Sequence, residues 1–84
     1  MGLPAQPLTL SVEQIDELNK KLSKARHDIN NHLSMVMAAA ELIRMKPDSA
    51  AKMAERVIAQ PPKITDLIRS FSAEFESALG ITRD

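Results

Sequence analysis

Five apolar residues spaced seven apart, Ile15, Leu22, Ile29, Val36 and Ile43, constrain this chain more than anything else in it. A sustained seven-residue apolar repeat marks a helix that packs along its length against a neighbour. Val12, Leu18 and Ala25 fit the same series at helical steps of three and four. The repeat resumes at Ala50, Val57, Ile64, Phe71 and Ala78, and Met53, Leu67, Ile68 and Phe75 widen it. The spacing therefore predicts an all-α fold built from two long helices.

Local signals place the ends. Ser11 with Gln14 three residues on is a capping-box pattern, which starts helix 1 at about residue 11. Pro47 disfavours helical geometry at the residue before it, so helix 1 stops at about residue 46. Lys46-Pro47-Asp48-Ser49 reads as a turn, with Asp48 or Ser49 capping helix 2 over about 49–79. Gly80 suits the residue just past its end. So short a connection favours an antiparallel hairpin over residues 11–80. Residues 1–10 read as a flexible leader and residues 81–84 as a tail. Pro61 and Pro62 interrupt helix 2, and each costs roughly 3 kcal/mol inside a regular helix. Val57 and Ile64 keep one heptad register across them, so a kink at 61–62 is expected rather than a break.

Helix 1 would be about 50 Å long at 1.5 Å per residue. Two such rods enclose no interior. Leu33, Met37, Ala40 and Leu42 make the stripe wider than one neighbour covers. A compact monomer of 84 residues would bury only about 60–65% of its unfolded surface. There is no cysteine, so neither a disulfide nor a thiolate zinc site can reinforce it. The expected solution is a homodimer, two hairpins forming a four-helix bundle.

Several functions drop out. Eleven basic residues balance eleven acidic ones, and there is no Trp or Tyr, so neither a basic footprint nor a stacking platform for nucleic acid is present. No apolar run approaches the ~20 residues that span a bilayer, and no membrane contact is expected from this segment. The N-terminus lacks a basic region ahead of an apolar one, so it is a poor signal peptide. Gln6 stands where a myristoylation signal has Ser or Thr. A cytoplasmic domain is the simplest reading.

The polar knot Arg26-His27-Asp28-Ile29-Asn30-Asn31-His32-Leu33 sits in the middle of helix 1. With Ile29 in the core series, His27 falls outward, in a column with Lys20, Ser23, Lys24, Asn30, Asn31 and Ser34. His32 falls towards the seam, between Ile29 and Val36. An ordinary surface histidine and an ordinary seam histidine would satisfy these positions. Asp28 and His32, four apart, could form a simple helical pair. The two histidines are five apart and so turned about 140° from each other, which argues against a shared metal ion.

The stretch from His27 to Leu42 resembles the H-box of sensor histidine kinases, whose pattern is His, acid, two variable residues, Asn or Thr, usually Pro, then Leu. Here those places hold His27, Asp28, Ile29, Asn30, Asn31, His32 and Leu33. The resemblance runs through the hairpin, roughly residues 12–79, as the dimerisation and histidine-phosphotransfer domain. It implies that His27 is the phosphoacceptor, taking the γ-phosphoryl group of ATP held with Mg by a separate ATP-binding domain. It implies transfer onward to an aspartate of a response-regulator receiver domain. Imidazole is largely neutral and nucleophilic near neutral pH, which suits it to that relay. By the same resemblance Asp28 is the orienting acid and base, and Asn31 positions water in members with phosphatase activity.

The sequence departs from the pattern in two places. His32 stands where Pro is usual, and the proline disruption lies in helix 2 instead. No glycine-rich ATP lid is present, so the chain alone is not expected to phosphorylate itself and needs no cofactor of its own. A portion of a larger kinase is the favoured expectation, because the hairpin ends where the family's next domain would start. A stand-alone histidine phosphotransferase dimer and a purely structural dimerisation hairpin are the alternatives.

Overall fold

The computed structural model describes residues 2–82. Met1 of the expected leader and Arg83 and Asp84 of the expected tail lie outside the described residues. Helix α1 spans Val12–Met45, a short 3-10 turn spans Pro47–Ser49, and helix α2 spans Ala50–Leu79. The fold is all-helical, with the two long helices packed against each other. Their order is antiparallel: Lys21 near the start of α1 meets Glu74 near the end of α2, and His32 meets Gln60.

The helix ends follow from local chemistry. Ser11 Oγ accepts from the Gln14 backbone at 3.1 Å, and Gln14 Oε1 accepts from the Ser11 backbone at 2.8 Å. The box fills two of the donors a helix start leaves open. At the far end Gly80 takes φ 67°, the left-handed conformation that glycine adopts without a Cβ penalty. The Ile81 N–H then donates to the Glu76 carbonyl at 2.9 Å and the Gly80 N–H to that of Ser77 at 3.4 Å, a Schellman closure.

The start of α2 differs from the sequence expectation. Neither Asp48 nor Ser49 caps it through a side chain. Ser49 Oγ donates instead to the Lys46 carbonyl at 2.8 Å, and the Ala50 N–H reaches the Pro47 carbonyl. The 3-10 turn runs straight into α2 and occupies groups that a cap would have served. Further along, α2 runs unbroken through Pro61 and Pro62. Neither proline has an N–H, so the carbonyls of Val57 and Ile58 lose their usual helical donors.

The hairpin is a rod of 59 × 28 × 12 Å. Its radius of gyration is 18.2 Å, against about 12 Å for a compact chain of this length. It has almost no interior: Ala39 and Met53 are the buried apolar residues among those described, and Gln60 is the buried polar one. Ile15, Leu22, Leu33 and Met37 of α1 and Ile68 and Phe75 of α2 remain exposed. Ile29, Val36, Val57, Ile64 and Phe71 are half-buried. A single hairpin thus leaves much of its heptad stripe in water.

The N-terminal segment returns along the open end of the hairpin. Gly2 and Thr82 exchange both backbone hydrogen bonds, at 2.6 and 2.8 Å. A Cβ at Gly2 would land on Thr82 Oγ1, so a larger residue there must displace that side chain.

Candidate functional site

The mid-point of α1 presents one histidine outward and turns the other inward. His27 is exposed, as are Lys20, Ser23, Lys24, Asn30, Asn31 and Ser34 around it. Leu18 and Val36 each lie nine residues from His27, two and a half helical turns, and so on the opposite side of α1. Both are half-buried against the hairpin's apolar side. The His27 ring therefore faces away from the apolar seam.

Asn31 lies one turn on, with Nδ2 3.5 Å from His27 Nε2. That distance is the outer limit of a hydrogen bond and brings the two polar groups to one exposed patch. Asp28 takes a different direction. Its carboxylate accepts from Lys24 Nζ at 2.8 Å, one turn back. The Lys24 bond holds the Asp28 carboxyl below its ordinary range, partial burial opposes this, and the charges of Lys24, His27 and His32 add to the lowering. The same bond raises the Lys24 ammonium above its usual value. Asp28 is thus an ionised carboxylate beside the ring, with its hydrogen bond given to a lysine. Arg26 Nη2 reaches Ser23 Oγ at 3.5 Å on the neighbouring face.

His32 is half-buried, and its Nδ1 lies 2.6 Å from Gln60 Oε1 on α2. The Asp28–His32 pair that spacing allows is not drawn together: Asp28 turns to Lys24 and His32 crosses to Gln60. Competing partners one turn back and across the seam account for both choices. Among the described residues no three His, Cys, Asp or Glu side chains gather closely enough to hold a metal ion.

Sequence reasoning placed Leu42 in the widened stripe but missed that it belongs to an apolar column on the His27 side of the rod. From Asn31, steps of three or four residues lead through Met35, Ala38, Leu42 and Met45, all exposed. Met35 and Leu42 line a groove of about 340 Å³ with Ala39, Met53, Arg56 and Gln60. Counting helical steps outward from His27 would have found the column, but attention to the seven-residue series hides it. On the other side, Leu22, Ala25, Ile29, Ile68 and Phe71 line an open groove of about 280 Å³. No described helix is long and apolar enough to cross a membrane. No protein-family model, curated protein or solved structure matches the chain.

Proposed function

We propose that the chain is the phosphoacceptor and dimerisation domain of a two-component sensor histidine kinase, working in the cytoplasm. The observation that carries the reading is the placement of His27. Its ring is exposed, opposite the apolar seam, with Asn31 one turn away. A second copy covering the Leu22, Ile29, Ile68 and Phe71 groove leaves that ring open to visiting domains.

In the reaction a ring nitrogen of His27 donates its lone pair to the γ-phosphorus of ATP, which a separate domain holds with Mg. The P–O bond to the β-phosphate breaks, and ADP leaves with that electron pair. The other ring nitrogen releases its proton as the phosphohistidine neutralises. Asp28 favours the transient positive ring by its negative charge, and breaking from Lys24 frees it to accept that proton. In the second step a receiver-domain aspartate oxygen attacks the same phosphorus, and the histidine nitrogen leaves. The apolar column from Met35 to Met45, directly below His27, seats the receiver while its aspartate reaches the ring. Asn31 lies within reach of the aspartyl phosphate so placed and orients the water that removes it.

The test supplies a separately expressed histidine-kinase ATP-binding domain and labelled Mg-ATP. Acid-labile label should enter the chain, and His27→Gln should abolish it with the dimer intact. Label that survives His27→Gln would refute the site. A dimer that never takes label would favour a structural hairpin.

A further inference from the structure

We infer that His32 and Gln60 form a latch that fixes the axial register of α1 against α2, making His32 a positioning residue for the neighbouring His27 turn. The role in the reaction rests on the phosphoacceptor reading above; the latch itself does not.

The first support is the completeness of the pair. Gln60 is the buried polar residue of the hairpin, at 5% exposure. Its Nε2 donates to the Arg56 carbonyl at 3.1 Å, and its Oε1 faces His32 Nδ1 at 2.6 Å. A carbonyl only accepts, so the Arg56 contact sets which end of the amide is NH2. The oxygen end therefore meets His32, and Nδ1 must carry the proton. Both ends of the buried amide are satisfied, the oxygen end only in this register.

The second support is position. His32 follows Asn31 directly and lies in the turn after His27. Gln60 directly precedes Pro61 and Pro62, where α2 lacks two helical donors and resists bending least. The latch thus ties the site-bearing stretch of α1 to α2 at its weakest point. An apolar heptad seam alone tolerates sliding, because one leucine-sized contact replaces another. A slide of one residue moves a helix about 1.5 Å, and a 2.6 Å hydrogen bond to a buried amide does not survive it. One polar residue at a seam position fixing register is an attested device in helical assemblies. A visiting domain that touches both helices then meets His27 at one height.

The experiment uses the full chain and NMR. Ala25 and Phe71 line the grooves on both sides of the interhelical seam, so a cross-peak between the Ala25 methyl and the Phe71 ring reports register. In the unmodified chain that cross-peak should dominate, and His32 should be in the Nδ1-protonated form. Gln60→Leu should divide the Ala25 contact between Phe71 and residues one turn away, Leu67 and Phe75. Under the phosphoacceptor reading, Gln60→Leu also slows ATP-dependent labelling of His27 by about threefold, the share of chains left in the native register. An unchanged Ala25–Phe71 contact in Gln60→Leu overturns the latch. Should Gln60→Leu not fold, the unmodified chain decides: an Nε2-protonated His32 overturns the latch and an Nδ1-protonated one supports it. The contacts need no phosphoryl chemistry, so an unmodified chain that takes no label refutes the phosphoacceptor reading and leaves the latch to the NMR result.

Discussion

Truncating Leu22 to alanine weighs the uncovered apolar face. In the single hairpin Leu22 keeps 41% of its surface exposed. Burying a whole leucine side chain contributes about 1.5–3 kcal/mol, so covering the remaining share contributes about 0.6–1.2 kcal/mol per copy. In the proposed two-fold dimer the site counts twice. Alanine keeps one methyl group, which leaves a loss of about 1–2 kcal/mol per dimer. That weakens association about 5- to 30-fold. Sedimentation equilibrium over a concentration series measures it. The control is Met45→Ala. Met45 is 66% exposed, more so than Leu22, but it lies 18 residues from His27, five whole turns, on the side away from the groove. Met45→Ala should leave the dissociation constant within about twofold. Equal effects from the two substitutions would refute the reasoning, because exposure alone and not the Leu22 face would then govern association.

The other predictions are more local. Asp28 has its folded pKa lowered by Lys24, so its contribution to stability is present above the unfolded value, about 3.9, and is lost as pH falls through the lowered folded value. Asp28→Asn should remove that acid limb from a plot of melting temperature against pH and leave the neutral region flat. Gly2→Ala places a methyl on Thr82 Oγ1, so amide exchange at Thr82 should accelerate while exchange in the middle of α1 stays unchanged. Asn31→Ala should slow receiver dephosphorylation more than labelling of His27, and equal losses would remove Asn31 from the phosphatase step.

The hairpin was legible because its determinants are short-range. Ser11 and Gln14 carry the start of α1 within four residues, and Gly80 carries the end of α2 in one. The heptad series carries the shared face, since seven residues return a side chain close to the same side of a helix. The outward position of His27 followed from the same counting. Partner choice did not. Asp28 has Lys24 one turn before it and His32 one turn after it, and spacing alone does not rank them. Gln60 came to His32 from 28 residues away through the register of two helices, which no local pattern encodes. The Gly2–Thr82 pairing joins the two ends of the chain and is farther still from local reach. Capping of α2 failed for a different reason: Ser49 fits a cap, but a 3-10 turn took the groups it would have served.

Site mapping tests the central claim most directly. The chain is labelled by the ATP-binding domain with Mg-ATP, digested at neutral pH to preserve phosphohistidine, and read by tandem mass spectrometry. Phosphate on His27, with none on the half-buried His32, is the expected result. Phosphate on His32, or a chain left unlabelled by an active ATP-binding domain, would contradict it.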